Sequence, residues 1–185
     1  MDQRRLLKVS KYLSKHLRHD PGRLGLTLDA GGWVSVDDLL ASCAAHSFRI
    51  TRAELEEVVA RNDKQRFSFD ATRTRLRANQ GHSVPVDLGL APSVPPPTLY
   101  HGTYHAAVPA IRREGLRPMG RHHVHLSSTA DAARRVGARR GRPVVLVVDA
   151  ARMAAGGSAF YLTDNGVWLT DAVPPQFLTP LTEAG

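Results

Sequence analysis

Three short segments carry cationic side chains that suit the binding of a phosphate group. Arg18 and His19 end one basic segment, Lys64 and Arg66 lie two residues apart in another, and Arg139 follows a stretch of small residues. The planar guanidinium of arginine can bind two phosphate oxygens at once. Taken singly, each arginine is better explained as a solvated surface charge, so spacing alone does not join them into one site.

Histidines cluster in the second half of the chain and offer a different chemistry, the binding of zinc. The candidates are His101, His105, His122, His123 and His125. However, the first two flank a Gly-Thr loop instead of sharing a helical turn, and the last two alternate along a predicted strand. Hydrogen-bonded strand histidines are the simpler interpretation, and we predict no metal site.

Several familiar catalytic patterns are missing. The sequence has no Gly-rich loop ending in Lys-Ser/Thr, no His-Glu-x-x-His and no Gly-x-Ser-x-Gly. Residues 98–185 hold six acids without a closely spaced pair suited to two-carboxylate catalysis. These gaps disfavour the conventional hydrolase mechanisms.

The spacing of apolar residues predicts the helices and strands on which these cations lie. Residues 3–18 predict one amphipathic helix, which the Asp20-Pro21-Gly22 break ends. Its apolar face holds Leu6, Val9, Leu13 and Leu17. Another face carries a basic stripe of Arg4, Lys8, Lys11, Lys15 and Arg18.

The rest of the first half predicts short helices closed by a hairpin. A turn and strand cover 31–35, and Ser35 is the expected N-cap of a helix from Val36. A helix over 51–60 begins with a Thr51 and Glu54 capping box. Two alternating runs at 66–70 and 74–78 predict the hairpin, which completes a winged helix.

The second half predicts an α+β module of short strands. Strands are expected at 99–103, 123–127, 143–149, 160–162 and 167–170, and helices at 107–114 and 129–136. The 143–149 strand is apolar enough to be buried, and Asp164-Asn165-Gly166 is a strong hairpin turn.

Composition limits the class of protein. The 185 residues carry 25 Lys and Arg against 17 Asp and Glu, and the net charge of +8 favours a polyanionic partner. Five of the twelve prolines lie between residues 84 and 97, which predicts a Pro-rich linker at 83–97 between two lobes at 1–82 and 98–185. We expect no membrane span and no secretory signal, and the single Cys43 fits a reducing compartment, so a cytoplasmic location is expected.

Six short motifs occur in the order and approximate spacing of the NAD-dependent RNA 2′-phosphotransferase family, which the chain resembles from about residue 4 to 181. They are His19 within Lys15-His16-Leu17-Arg18-His19, Lys64-Gln65-Arg66-Phe67, His101-Gly102-Thr103, His123-Val124-His125-Leu126-Ser127, Val136-Gly137-Ala138-Arg139 and Asn165-Gly166-Val167-Trp168-Leu169. Each motif is weak alone, but six in order are hard to obtain by chance.

The resemblance implies an architecture and a set of site residues. The lobe at 1–82 is expected to be an RNA-binding winged helix, and the lobe at 98–185 an NAD-binding fold related to ADP-ribosyltransferases, with the active site between them. The implied catalytic residues are Arg18, His19, Arg66 and Arg139, and Lys64 joins the first three in binding the substrate phosphate. The implied NAD-binding residues are His101, Gly102, Thr103, His125, Leu126, Ser127 and Arg139. For Gly102 we expect that the missing Cβ lets the backbone approach the ligand.

The resemblance also implies a reaction. An internal RNA 2′-phosphate attacks the nicotinamide ribose of NAD+ and expels nicotinamide, and the ribose 2″-hydroxyl then attacks that phosphorus. The products are RNA with a 2′-hydroxyl and ADP-ribose 1″,2″-cyclic phosphate. NAD+ is thus a consumed co-substrate, fixed arginines hold the phosphate, and His19 exchanges a proton.

One departure from ordinary ADP-ribosyltransferases bears on this reaction. Those enzymes usually end their motif in a catalytic glutamate, whereas residues 165–170 contain no acid. A phosphate nucleophile is itself anionic, and a nearby carboxylate would repel it. We interpret the missing acid as consistent with a phosphate substrate.

Two other functions stay open at this point. The chain could be an ADP-ribosyltransferase that modifies terminal phosphates of RNA or DNA and stops after the first step. It could also be a non-catalytic winged-helix protein that binds nucleic acid, although Glu54, Glu56 and Glu57 on the expected recognition helix would repel phosphates. We expect a monomer whose partners are 2′-phosphorylated RNA and NAD+, with no membrane.

Overall fold

The protein is described by a computed structural model that covers residues 1–61 and 64–181. The chain divides into two compact units, Met1–Gly89 and Leu90–Gly185. The division falls inside the proline-rich stretch predicted as a linker. The predicted boundaries at 82/83 and 97/98 stay a prediction, and the last four residues of the expected second lobe lie outside the described residues.

In its described residues, 1–61 and 64–89, the first unit combines three α-helices with a small antiparallel sheet. The helices are α1 (Gln3–Arg18), α2 (Val36–Ala45) and α3 (Arg52–Arg61), and the strands are β1 (Trp33–Ser35), β2 (Phe67–Phe69) and β3 (Arg75–Ala78). The strand order is β1-β3-β2, so β2 and β3 form the predicted hairpin and β1 pairs with the far side of β3. The predicted helices, strand and hairpin are confirmed.

Helix starts in this unit follow the predicted capping residues. The Ser35 hydroxyl accepts a hydrogen bond from the backbone N of Asp38 at the start of α2. Before α3, the Glu54 backbone N donates to the Thr51 hydroxyl, and the Thr51 backbone N donates to the Glu54 carboxylate. This reciprocal pair satisfies two amide groups that a helix start otherwise leaves without partners.

The core of the first unit is built on the apolar face of α1. Val9, Leu13 and Leu17 are fully buried there, together with Leu55 of α3 and Leu76 of β3. The predicted apolar face of the helix is therefore the one that packs, and the basic stripe lies on the side away from this core.

Over residues 90–181, the second unit has two three-stranded antiparallel sheets and three short α-helices. The strands are β4 (Thr98–Tyr104), β5 (Val124–Leu126), β6 (Pro143–Asp149), β7 (Tyr161–Leu162), β8 (Trp168–Thr170) and β9 (Leu178–Pro180), and the helices are α4 (Val108–Glu114), α5 (Ala130–Gly137) and α6 (Ala150–Ala155). One sheet has the order β4-β6-β9 and the other β5-β8-β7. Tyr100 and Ser127 exchange two backbone hydrogen bonds, at 2.9 and 2.7 Å, and so join β4 to the end of β5.

The sequence pattern misjudged some details of this unit. The structure adds α6 and β9, which were not predicted. The β6 strand lies between β4 and β9, but only Val145, Leu146 and Val148 are buried, so it is half-buried instead of buried. His123 precedes β5, so it does not alternate with His125 along one strand.

Helix α5 packs so closely on β4 that only glycine fits at two positions. A Cβ on Gly102 would lie 1.7 Å from the carbonyl oxygen of Ala133, and one on Gly137 would lie 2.3 Å from the carbonyl oxygen of Thr103. The helix backbone therefore requires glycine at position 102, and the expectation that Gly102 lets the backbone approach a ligand stays a prediction.

The fold class is a mixture of α-helices and β-strands with small antiparallel sheets, as the α+β prediction requires. The finer description, a winged helix followed by an ADP-ribosyltransferase-like lobe, stays a prediction. Among the residues that the structure describes, no helix has the length and apolar character needed to cross a bilayer.

Candidate functional site

Arg18 and His19 lie where α1 ends. Arg18 is the last residue of the helix, and His19 is its C-cap, with a backbone N that donates to the Lys15 carbonyl oxygen. The following Asp20-Pro21 segment begins a short 3-10 turn and cannot continue the helix. Arg18 is half-buried and His19 is exposed, so the helix end presents a guanidinium and an imidazole side by side in sequence.

Ser83 holds both of these residues through one hydroxyl and one amide. The backbone N of Ser83 donates to the Arg18 carbonyl oxygen at 2.9 Å, and the Ser83 hydroxyl lies 3.5 Å from the same oxygen. The same hydroxyl lies 2.9 Å from Nδ1 of His19. When the Ser83 hydroxyl donates its single hydrogen to the Arg18 carbonyl, Nδ1 of His19 is the donor to Ser83 and Nε2 is the acceptor nitrogen of the neutral ring.

The Arg18 guanidinium packs against the backbone of Gly81. A Cβ placed on Gly81 would lie 3.7 Å from Nη1 of Arg18. The φ of Gly81 is +86°, a conformation that residues with a Cβ rarely adopt. A buried glycine turn therefore forms the surface on which this guanidinium packs.

Arg66 is positioned by a strained turn and by Asn79. Gln65 has a φ of +37°, which is unusual for a residue other than glycine. The Asn79 side-chain amide donates to the Gln65 carbonyl oxygen at 2.7 Å, and the Asn79 backbone N donates to the Arg66 carbonyl oxygen at 2.9 Å. Nη1 of Arg66 lies 3.5 Å from the Ser10 hydroxyl of α1. Since Gln65 is not extended, Lys64 and Arg66 do not alternate as strand residues would.

The segment 79–83 thus organises all three predicted catalytic residues of the first unit, and sequence reasoning missed it. Asn79 holds the backbone at Arg66, Gly81 lies against Arg18, and Ser83 binds His19. A signal was available, because Asn79, Gly81 and Ser83 are polar or glycine residues directly after a strand, in the loop class where binding residues concentrate.

In the second unit, His101 of β4 and His125 of β5 are joined by a hydrogen bond. Nδ1 of His101 lies 3.1 Å from the His125 carbonyl oxygen. A carbonyl oxygen only accepts, so Nδ1 carries the proton. Burial lowers the pKa of His101, and the hydrogen bond to His125 opposes this only in part. The ring is therefore neutral near pH 7, with Nε2 as a hydrogen-bond acceptor.

Arg121, Arg139 and Arg140 form an arginine group, of which Arg121 contacts His125. Nη1 of Arg121 donates to Nδ1 of His125 over 3.1 Å. Partial burial and the neighbouring charges of Arg140 and Arg139 lower the pKa of Arg121. Within residues 1–61 and 64–181, none of these three arginines has a carboxylate oxygen within 4 Å. The second unit therefore holds mutually repelling cations that a bound anion would stabilise.

A family model decides what these features belong to. The model described as "RNA 2′-phosphotransferase, Tpt1 / KptA family" matches residues 4–172, which is most of the chain. The chain belongs to the RNA 2′-phosphotransferase family.

Individual relatives agree with this assignment over almost their full length. A "Probable RNA 2′-phosphotransferase" of Trichormus variabilis is 61% identical over 178 residues, with 96% of this chain and 98% of the relative covered. Proteins of the same name from Streptomyces griseus and Rhodopirellula baltica are 60% and 49% identical, over 96% and 95% of this chain and 98% and 96% of the relatives.

The residues predicted from the resemblance to this family fall into two groups. Arg18, His19, Lys64 and Arg66 lie in the first unit, and the other predicted site residues lie in the second. Of the latter, Leu126 is 1% exposed and packs in the core, so its side chain is not at the surface.

The remaining predicted NAD-binding residues lie around β4. Thr103 is buried, and Gly102 lies under α5, where its contacts are with the helix backbone. Ser127 is half-buried and its backbone pairs with Tyr100. Arg139 is exposed in the turn after α5 and belongs to the arginine group.

The other histidines of the second unit do not gather into a site. His105 begins an exposed 3-10 turn, His122 is exposed, and Nε2 of His123 lies 3.7 Å from an Asp171 carboxylate oxygen. In the part of the chain that the structure describes, no three His, Cys, Asp or Glu side chains are grouped as metal ligands would be.

Proposed function

We propose that this protein removes an internal 2′-phosphate from RNA by transferring it to NAD+. The reaction yields RNA with a 2′-hydroxyl, nicotinamide and ADP-ribose 1″,2″-cyclic phosphate. The observation that carries the proposal is membership of the RNA 2′-phosphotransferase family over residues 4–172. The names of the relatives state transfer of an RNA 2′-phosphate, and the remaining steps are our inference.

The first unit supplies groups suited to a phosphate monoester, which carries close to two negative charges. Arg18 and Arg66 are assigned to hold its oxygens, and the exposed Lys64 adds a third cation. Their positions are fixed by Gly81 and Asn79, so little reorganisation is needed when charge redistributes on the phosphate.

His19 is assigned to exchange a proton through Nε2. We take the Ser83 hydroxyl as the acceptor from Nδ1, so that in the neutral ring Nε2 is the base. We assign Nε2 to the attacking 2″-hydroxyl in the second step. The protonated imidazole then donates that proton to the departing 2′-oxygen.

The second unit suits NAD+ in two respects. The Arg121, Arg139 and Arg140 group matches a pyrophosphate, because each guanidinium can bind anionic oxygens and their repulsion would fall on binding. The acceptor Nε2 of neutral His101 matches a ribose hydroxyl. NAD+ supplies the activated ribose carbon that accepts the phosphate, and Arg139 is the member of the group that we assign to the phosphate as well.

One assay tests the proposal against its two rivals. The purified full chain is incubated with NAD+ and a short RNA that bears a single internal 2′-phosphate, and the products are separated by chromatography. We expect nicotinamide, ADP-ribose 1″,2″-cyclic phosphate and dephosphorylated RNA in equal amounts. Persistent ADP-ribosylated nucleic acid, with terminally phosphorylated RNA or DNA as the better substrate, would favour the terminal-phosphate transferase.

Controls assign the turnover to the named residues. Arg18→Gln and Arg139→Gln, one from each unit, should each lower kcat by about 10²-fold, because a fixed donor to the reacting phosphate is lost. Arg117→Gln, an exposed arginine of the second unit, is the matched control. If the protein binds RNA but consumes no NAD+, it is a non-catalytic nucleic-acid-binding protein.

A further inference from the structure

One face of α1 carries a row of cations, which we call the α1 stripe and which is exposed except for its half-buried last member. Its members recur every three or four residues and are Arg4, Lys8, Lys11, Lys15 and Arg18. At about 1.5 Å per residue, the stripe is about 21 Å long. It lies opposite the buried face that contains Leu6, Leu13 and Leu17.

Within residues 1–61 and 64–181, the first four members of the stripe are not neutralised by a carboxylate. Arg4, Lys8, Lys11 and Lys15 are all exposed, and among the described residues none of the four has a carboxylate oxygen within 4 Å. Nζ of Lys8 lies 5.7 Å from the centre of the Phe48 ring. The stripe is therefore a concentrated cationic surface.

Four glutamate and aspartate residues of the same unit pair with cations outside the stripe. Glu54 pairs with Arg5, Glu57 with the N-terminal amine and Arg61, and Asp70 with Arg75. Glu56 pairs with arginines of α3 and the β2–β3 turn. The unit thus pairs many of its other arginines internally while this helix face stays cationic.

The stripe ends at the proposed phosphate site. Arg18 is its last member, and His19 follows directly as the C-cap of α1. A strand whose 2′-phosphate is held by Arg18 would have to leave that point in some direction, and the helix offers a continuous row of cations leading away from it.

We propose that the α1 stripe binds the sugar-phosphate backbone of the RNA strand that flanks the 2′-phosphate. The placement of the 2′-phosphate at the Arg18 end of the stripe rests on the proposed function, whereas backbone binding along the rest of the stripe does not. At about 3.4 Å per stacked nucleotide, 21 Å corresponds to about six nucleotides. The contacts are with phosphates, so the stripe carries no sequence preference.

An anionic membrane is the main alternative partner for a basic amphipathic helix, and the structure disfavours it. A membrane-binding helix inserts its apolar face into the lipid. Here that face is buried in the core of the unit, where Val9, Leu13 and Leu17 have no exposed surface. RNA needs only the cationic side, which is the side that is available.

The test compares binding and turnover with two RNAs. One is a 2′-phosphorylated dinucleotide, and the other is a 14-nucleotide strand with the same 2′-phosphate at its centre. Binding of the labelled 14-mer to the full chain is followed by fluorescence anisotropy over a range of salt concentrations, for wild type and for the Lys11→Gln/Lys15→Gln variant. Each lost phosphate contact should weaken binding about fivefold at 0.1 M salt, and the double variant should lower the salt slope by about 1.4.

Matched variants separate the stripe from overall charge. Lys11→Arg/Lys15→Arg keeps both charges and should bind as wild type does. Arg49→Gln removes an exposed arginine of the same unit that lies between α2 and α3, off the stripe, and should change binding less than twofold. Lys11 and Lys15 are exposed, so the variants should melt as wild type does.

The outcome for the stripe is distinguishable from that for the reaction. If the proposal holds, the ratio of kcat/KM for the 14-mer to that for the dinucleotide falls about 25-fold in the double glutamine variant. An unchanged ratio and an unchanged salt slope would overturn the proposal even when the dinucleotide is dephosphorylated. The proposal would also be overturned if the double glutamine variant lost binding to vesicles of anionic lipid but bound RNA as wild type does. A protein that fails to dephosphorylate the dinucleotide would refute the reaction alone, since the anisotropy still tests the stripe.

Discussion

Nδ1 of His19 lies 2.9 Å from the hydroxyl oxygen of Ser83, 64 residues later in the chain. Ser83 also binds the Arg18 carbonyl oxygen through its backbone N. The residue therefore ties the end of α1 to the loop after β3 and orients the imidazole at the same time. In the proposed reaction Ser83 is a positioning residue that acts through His19.

Replacing Ser83 by alanine should lower kcat about fivefold and leave the KM for RNA nearly unchanged. The loss corresponds to one hydrogen bond of about 1 kcal/mol that fixes the ring and its tautomer. Ser83→Thr keeps the hydroxyl and should restore kcat. The decisive readout is the pH dependence of kcat/KM, which should move in the alanine variant, and an unmoved profile would assign Ser83 a structural role only.

How far the sequence predicts the fold depends on the length of each element. The sixteen-residue α1 repeats its apolar face often enough to be predicted with both ends, and α3 is marked by its Thr51 and Glu54 capping box. The six-residue α6 follows β6 without a break and is too short to show a period. The strand β9 ends in proline and is defined by its pairing with β6, which no local pattern reveals.

In the candidate site, the residues that the sequence did not predict are those whose contacts lie far apart in the chain. Arg18, His19 and Arg66 were found through family motifs, which record side chains near the chemistry. Ser83 and Asn79 were not, because their contacts join positions many residues apart in the chain. Gly102 was predicted to approach a ligand, whereas its close contact with the backbone of α5 was not predicted.

Gly102→Ala should therefore destabilise the second unit by at least about 3 kcal/mol. The added Cβ would lie 1.7 Å from the Ala133 carbonyl oxygen, so α5 would have to move off β4. Thermal unfolding and limited proteolysis measure the effect. The control is Gly120→Ala, where no atom lies within 4 Å of the new Cβ. If the variant melts as wild type does but fails to bind NAD+, Gly102 is needed for NAD+ binding and not for the packing of α5.

The ion pair between Glu54 and Arg5 should make the stability of the first unit depend on pH. The hydrogen bond from Arg5, followed by one from the Thr51 backbone, lowers the pKa of Glu54 to about 2. A carboxyl whose folded-state pKa is depressed contributes stability above its unfolded value near 4.3, and that stability is lost as the pH falls toward 2.

Glu54→Gln should accordingly cost about 1–2 kcal/mol at pH 7, and the cost should shrink steadily between pH 5 and pH 3. Urea unfolding followed by tryptophan fluorescence at several pH values measures it. Glu56→Gln, which removes an exposed pair with Arg52, is the control and should have a much smaller effect. A cost for Glu54→Gln that stays constant down to pH 3 would show that the ion pair contributes nothing.

Val167→Glu tests the interpretation of the missing acid. Val167 is half-buried, and its backbone N and O both bond to Thr163 at 2.9 to 3.0 Å, so the loop should keep its shape. A carboxylate there should repel the substrate phosphate and lower kcat/KM about tenfold or more. Val167→Gln has the same shape without the charge and should lose much less. Equal losses in both variants would attribute the effect to size.

Arg121→Gln should weaken NAD+ binding without weakening the free protein. Arg121 is repelled by Arg140 and Arg139, and it donates to His125, so its loss removes a strain and a hydrogen bond together. We expect the KM for NAD+ to rise about tenfold, the value of one charge-assisted hydrogen bond, with kcat changed less than threefold. The melting temperature without ligand should not fall, while the increase in melting temperature on adding NAD+ should be smaller than in wild type. Arg117→Gln is the control for loss of surface charge, and a lower melting temperature with an unchanged KM would show that Arg121 serves the fold and not the co-substrate.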